Sequence, residues 1–184
     1  MMIRVTKMVC AVVGFLVVAG VIAPRPAAAQ SGNWDFAAGY SFLNDNEIKE
    51  SFGAGWFAAV GVDVSKALAI AGEVSGNYKT VAISGTDVDL SVHFFGAGPR
   101  FVGHTAKVHP FAQVLFGAAR GSAGLLGVSE SATDFAWQPG GGIDIDLNNS
   151  VGLRVGANGR FIHGDGDTTN EFQLQIGIVF RSRK

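Results

Sequence analysis

The stretch FQLQIGIVF, residues 172–180, alternates large apolar side chains with smaller or polar ones. The large residues are Phe172, Leu174, Ile176, Ile178 and Phe180. A period of two is that of a β-strand with one apolar face. The fold depends on what this face contacts, because a soluble sandwich turns it toward a protein core and a membrane barrel turns it toward lipid.

The first 29 residues have the layout of a secretory signal peptide. Arg4 and Lys7 give a positive start, and residues 8–23 form an apolar run. This run is short for a retained membrane anchor, which needs about 20 apolar residues. The small residues Ala27 and Ala29 suit a cleavage site. We predict cleavage after Ala29, which leaves residues 30–184 as one domain.

The composition of the exported domain points to a membrane rather than to a soluble protein. Its formal net charge changes from −1 to −4 when the three leader cations leave, which argues against nucleic acid as a partner. Cys10 is the only cysteine and lies in the leader, so no disulfide stabilises the domain. No later apolar run is long enough for a spanning helix. A closed barrel is the remaining way to pair every backbone group in lipid.

Eight segments alternate in the same way, which predicts an all-β fold: a closed, up-and-down, antiparallel eight-stranded transmembrane barrel. The predicted outward rows lie in residues 34–42, 52–62, 68–78, 88–94, 108–118, 135–147, 151–161 and 172–180. Longer polar links (NDNEIKE, VAISGT, GSAGLLGVSESAT, HGDGDTTN) alternate with short ones (SKA, GHTAK, NNS). Outer-membrane barrels have short periplasmic turns and longer outside loops, so we expect both ends of the domain on the periplasmic side.

Aromatic residues gather near the ends of the outward rows, where membrane proteins place them at the headgroup level. The predicted girdle is Trp34, Tyr40, Phe42, Tyr78, Phe135, Phe161, Phe172 and Phe180. Phe52 belongs to the same outward set in this interpretation.

The opposite face carries charges. The predicted polar network of the lumen is Glu73, Lys79, Asp144, Asp146, Arg154 and Arg160, with Asp35 and Asp63 in the same phase. An eight-stranded barrel is just wide enough for side chains to fill, and acids and bases inside it can pair. This pattern predicts a packed polar core rather than a pore, whereas a lipocalin-like barrel would reverse the two faces. The alternative is that these charges are scattered on a solvated sheet.

Two stretches interrupt the alternation. In FFGAGPRF the phase is unclear and Arg100 would face lipid in an unbroken strand, and in WQPGGGID Pro139 lacks an N–H for the ladder. Proline and glycine inside strands often mark bulges. We therefore expect one bulge in each stretch, with Arg100 turned inward or to the rim.

Four segments resemble a known family: HFFGAGPRF, VHPFAQVLFGAARGS, TDFAWQPGGGIDIDLN and FQLQIGIVF. They are similar to the OmpA/OmpX-like eight-stranded outer-membrane β-barrel domain, and the likeness covers essentially the whole exported chain. The resemblance implies a place in the bacterial outer membrane, in contact with its lipid and lipopolysaccharide. It also implies insertion by the barrel assembly machinery, which recognises a final strand ending in an aromatic residue. Phe180 fits this signal, although RSRK follows it.

The sequence contains no convincing catalytic, cofactor or metal site. His104 and His109 flank a predicted turn, and Asp165 and Asp167 lie in a Gly/Asp loop, but neither pattern is that of a metal site. No nucleophile, base and orienting group stand out.

Two functions therefore stay open. The first is a non-enzymatic structural or surface-interaction role carried by the outer loops. The second is a small outer-membrane enzyme or carrier for lipid or a small hydrophobic molecule, which a lipid-facing Ser–His pair or a lateral gap between strands would favour. The longest link, residues 121–133, carries Leu125, Leu126 and Val128, which we predict to be a loop interaction patch.

Overall fold

The chain forms one antiparallel β-sheet closed on itself in a computed structural model that describes residues 33–45, 50–83, 86–125, 128–164 and 167–182. Its strands are β1 (Trp34–Asp45), β2 (Glu50–Phe52), β3 (Ala54–Asp63), β4 (Leu68–Ile83), β5 (Thr86–Val102), β6 (Val108–Leu125), β7 (Val128–Asp146), β8 (Val151–Gly164) and β9 (Asp167–Ser182). Pairing of β1 with β9 closes the sheet. Because β2 is a three-residue piece directly before β3, the predicted eight-stranded barrel is confirmed.

The predicted signal peptide and its cleavage site lie outside the described residues. Within the described part of the chain, no helix is long and apolar enough to cross a membrane.

The two ends of the barrel differ. Short turns at residues 64–67, 103–107 and 147–150 lie at one end, which we call the turn end. At the other, the hairpin end, strands extend into the segments that were expected to be loops. β6 and β7 pair as far as Leu125 opposite Val128, so most of the predicted loop 121–133 is a two-stranded ribbon. Ladder pairing satisfies the backbone polar groups there, as it does inside the membrane.

The last strand has the predicted orientation. Leu174 and Ile176 are 45% and 49% exposed, whereas Gln173 and Gln175 are 0% and 5% exposed. The large apolar face of this strand therefore points outward and its polar face points into the barrel.

The prediction of which β5 side chains face outward is wrong. Phe94, expected outside, is fully buried, and its neighbour Phe95 is 52% exposed. Two adjacent phenylalanines fit either face equally well, so alternation alone does not set the phase. The register with β4 sets it by placing Gly96 opposite the inward Glu73. Arg100 then points inward and is buried without any bulge.

Both predicted bulges are absent, and a different one is present. β5 keeps one register with β4, and β7 keeps one register with β6, along all their pairs. The bulge lies between β2 and β3, where the register with β1 shifts by one residue. Tyr40 is opposite Trp56 of β3, but Leu43 is opposite Phe52 of β2. One extra residue around Gly53 therefore reverses the phase. Phe52, predicted to face outward, is 1% exposed and points inside.

Candidate functional site

The centre of the lumen holds a fully buried arginine. The Arg160 guanidinium donates hydrogen bonds to Glu171 Oε2 at 3.0 Å, Gln138 Oε1 at 2.9 Å and Ser75 Oγ at 3.1 Å. Its Cζ lies 4.5 Å from the centre of the Phe94 ring. We call these five residues the Arg160 cluster. A buried charge is costly unless it is paired and hydrogen-bonded, and here both conditions are met.

A layer of amides next to this cluster fills the rest of the central section. The Gln138 and Gln175 side-chain amides both donate to Glu73 Oε1, at 3.0 and 2.8 Å. The Gln173 amide donates to Ser41 Oγ at 2.8 Å. These side chains come from strands on different sides of the barrel and meet at its axis. Their side chains therefore occupy the barrel axis at this level.

A second ionic group lies toward the turn end. Arg154 makes two hydrogen bonds to the Asp144 carboxylate, at 2.7 and 2.8 Å. Asp35 Oδ1 accepts from Arg154 at 3.0 Å and from Arg100 at 3.1 Å. Arg181 also pairs with Asp144. We call these five residues the turn-end cluster. Paired arginine–carboxylate bonds of this kind are among the stronger polar contacts.

Phe111 lies beside two of the three arginines of the turn-end cluster. The Arg100 and Arg154 guanidinium groups lie 5.3 and 4.9 Å from its ring centre. Arg100 also donates to Gln113 Oε1 at 2.9 Å. Both guanidinium groups thus lie within cation–π distance of one aromatic ring.

A cavity of about 420 Å³ opens at the turn end beside this cluster. His104 and His109 lie at its edge with ring centres 5.4 Å apart, and His109 Nε2 is 2.9 Å from an Asp146 carboxylate oxygen. The described residues contain no group of three potential metal ligands. The polar side chains of this cavity bond mainly to one another.

The structure brings together most of the predicted lumen network. Glu73 and Arg160 belong to the central section, and Asp144, Asp146 and Arg154 lie at the turn end. Lys79 lies on the inward face of β4 nearer the hairpin end. The network therefore consists of two separate groups rather than one.

Two ionic residues were missed although the pattern contained them. Glu171 and Arg181 continue the inward row of β9 on either side of residues 173–179. Both residues lie next to the stretch FQLQIGIVF. Continuing its alternation of outward and inward residues by one position at each end predicts that both point inward. Gln138 was placed inward, but nothing in the sequence indicates that it links Arg160 to Glu73.

The eight predicted girdle residues lie on the outward face. Trp34 and Phe180 lie near the turn end, 49% and 48% exposed. Five others lie toward the hairpin end: Phe42, Tyr78, Phe135, Phe161 and Phe172. Tyr40 is opposite Ile176 of β9 and lies nearer the middle of the barrel wall. Their contact with lipid headgroups remains a prediction.

The predicted loop patch is only partly within the described structure. Leu126 lies outside the described residues. Leu125 and Val128 form the last paired rung of β6 and β7, and the structure does not define their side chains. The patch therefore remains a prediction.

The model of the family "Outer membrane protein beta-barrel domain" matches residues 13–180. The chain belongs to this family. It is therefore a transmembrane protein of the bacterial outer membrane, and the predicted family and location are confirmed. No curated protein matches it significantly in sequence.

Solved barrels share this fold at low sequence identity. Ail, the attachment invasion locus protein of Yersinia pestis, solved in complex with the heparin analogue sucrose octasulfate, is 16% identical with a TM-score of 0.60, over 82% of this chain and 99% of that one. Neisserial surface protein A is 18% identical with a TM-score of 0.62, over 81% and 96%. OprG from Pseudomonas aeruginosa is 10% identical with a TM-score of 0.54, over 83% and 97%. At these identities the likeness concerns the fold alone.

Proposed function

We propose that this protein is a non-enzymatic outer-membrane barrel that presents its hairpin end to the cell exterior as a structural and binding surface. The observation that carries the proposal is the blocked lumen. The Arg160 cluster and the turn-end cluster occupy the barrel axis at two levels. A barrel filled in this way has no passage to offer, so its exposed end is the part available for binding.

The length of the strands supports this role. A membrane-crossing strand needs about 9–11 residues, whereas β6 has 18 and β7 has 19. The ribbon they form therefore extends beyond the lipid. Short turns face the periplasm in barrels of this type, which supports an extracellular place for the ribbon.

The charge of the rim indicates the class of partner. Besides Glu171, which is neutralised by Arg160, four acids of the hairpin end lie in phase with the inward rows: Asp45, Glu130, Asp134 and Asp167. The same face carries Lys79 there, so acids outnumber this cation. An acidic rim repels polyanions. We therefore do not expect this chain to share the binding of a heparin analogue seen for Ail, and we expect a neutral or cationic partner instead.

A second candidate is a carrier for lipid or a small hydrophobic molecule. Pairing of β3 with β4 ends at Ala54 opposite Tyr78. A cavity of about 570 Å³ lies next to this point, lined partly by Leu90. Such a carrier needs a lateral gap between strands through which its ligand can pass into the membrane. The gap between β3 and β4 starts at Tyr78, an aromatic residue of the outer girdle, and does not reach the mid-membrane level. The surface-binding role is therefore the stronger proposal.

An epitope tag between Gly124 and Leu125 tests the orientation. We expect antibody to stain intact cells, with a barrel that still shows the mobility difference between boiled and unboiled samples. A matched tag between Thr105 and Ala106, in the widest short turn, should be stained only after the outer membrane is permeabilised. The reverse staining would overturn the orientation and the surface role with it.

Binding to charged beads tests the class of partner. The folded protein in nanodiscs should be retained by polylysine-coated beads and not by heparin-coated beads. Glu130→Gln combined with Asp134→Asn should reduce the retention on polylysine. Retention on heparin would contradict the proposed role of the acidic rim.

A further inference from the structure

A polar row crosses the outward face of the barrel near the hairpin end. The strand register places His93 of β5 opposite Arg120 of β6, and Arg120 opposite Thr133 of β7. Residues opposite one another on one face have Cβ atoms about 5 Å apart. These three side chains therefore form a continuous polar strip, and the next outward row toward the hairpin end, Ser91, Ser122 and Ser131, is polar as well.

An apolar row lies directly beside this strip, toward the turn end. Phe95 is opposite Ala118, and Ala118 is opposite Phe135. The two phenylalanines are 52% and 53% exposed on the outward face. Two residues along a strand cover about 6.6 Å, so the surface changes from lipid-contacting to polar within one step.

His93 is held in place by its neighbours. The Trp56 indole N–H donates to the Tyr78 hydroxyl oxygen at 3.2 Å, and the Tyr78 hydroxyl lies 3.0 Å from His93 Nε2. A Cβ on Gly76 would lie 2.9 Å from both the indole nitrogen and this hydroxyl, so the missing side chain makes room for the chain of contacts. A tyrosine hydroxyl that accepts from the indole can donate its own proton to Nε2; in that tautomer Nδ1 carries the ring proton and is a donor.

Arg120 has donors to spare. One guanidinium nitrogen donates to Ser131 Oγ at 3.0 Å, and the ion pairs among the described residues do not include Arg120. The next acid along β5 on this face, Asp89, accepts from Thr80 Oγ1 at 2.8 Å. Asp89 lies four residues from His93, about 13 Å away, which exceeds the Debye length of about 8 Å in physiological salt.

We propose that His93, Arg120 and Ser131 bind a phosphate group of an outer-leaflet lipid whose acyl chains lie against the row of Phe95, Ala118 and Phe135. The planar fork of arginine matches phosphate oxygens, and charge-assisted bonds of this kind are the strong ones. The imidazole N–H and the serine O–H add further donors on the same side. The inference concerns the membrane-facing wall and is independent of the binding role of the rim.

The experiment uses the folded full-length exported protein in detergent, titrated with lipid A that carries both phosphates or with the same lipid A after dephosphorylation. Native mass spectrometry counts the retained lipid. We expect the phosphorylated lipid to be retained at lower concentration, and Arg120→Gln to weaken this retention about tenfold or more. Tyr78→Phe, which frees the His93 ring, should reproduce part of the loss seen for His93→Gln.

Lys107→Gln is the matched control, because it removes one exposed cation from the turn end. It should leave retention unchanged. Equal losses for Arg120→Gln and Lys107→Gln would overturn the proposal, as would equal retention of the two lipids. Displacement of the lipid by millimolar inorganic phosphate would also overturn it, since the site would then select a free anion. If Arg120→Gln did not fold, Arg120→Lys, which keeps the charge without the fork, should show an intermediate loss.

Discussion

Replacing Ile176 with arginine should destabilise the barrel more than the same change at either end of β9. Ile176 lies four residues from Phe172 and four from Phe180, which both point outward. Eight residues at about 3.3 Å each, tilted by about 40°, cover ~20 Å along the membrane normal, close to the ~25 Å apolar band of such barrels. Ile176 is therefore near the middle of the lipid.

The cross-strand neighbours of Ile176 offer the new charge no carboxylate. Its cross-strand neighbours are Tyr40 of β1 and Val155 of β8, and both are exposed on the same outward face. We expect Ile176→Arg to cost about 2–4 kcal/mol, and Phe172→Arg or Phe180→Arg to cost about 0–1 kcal/mol for the charge itself. The measurement is reversible, urea-dependent folding into phosphatidylcholine bilayers.

Alanine variants at the same three positions are the controls, because they remove the apolar side chain without adding a charge. The difference between arginine and alanine at each position isolates the cost of the charge. A difference at Ile176 no larger than that at Phe172 and Phe180 would refute the lipid-facing, mid-membrane assignment.

Three further predictions concern the lumen and the leader. Arg160→Met should cost about 3–5 kcal/mol in the same assay, because it leaves Glu171 buried without its partner; adding Glu171→Gln should recover part of this loss, and simple addition of the two losses would contradict the pairing. In planar bilayers the protein should give no large steady current, since side chains fill the axis; reproducible porin-sized currents would show that the filling is not maintained. N-terminal sequencing of membrane-extracted protein should begin at Gln30, and retention of Met1 or Met2 would exclude cleavage after Ala29.

The sequence alone determined which face of most strands meets lipid. In β9 every second residue from Phe172 to Phe180 is large and apolar, and most residues between them are polar or small; β8 follows the same pattern except at Ala157 and Gly159. A side-chain period of two links this pattern directly to the two faces of a sheet. Lipid outside and a narrow lumen inside then require apolar side chains outward. The inward placement of Asp144, Arg154 and Arg160 followed from the same rule.

The alternation of apolar and polar residues does not predict which side chains face outward where adjacent residues suit both faces. Either Phe94 or Phe95 could face outward. The strand break at Gly53 turns the Phe52 side chain from the outward to the inward face, and no proline or charged residue there indicates the change. Only the pairing with neighbouring strands selects between such phases, because a one-residue slip moves every side chain of a strand to the other face.

The tertiary structure alone decided which inward charges meet. Arg154 bonds to Asp35, 119 residues away, and Arg160 bonds to Ser75, 85 residues away. The sequence places all four side chains inside the barrel but contains no information on their level along its axis. Strand tilt and the stagger of closure set those levels, and they separate the charges into the Arg160 cluster and the turn-end cluster.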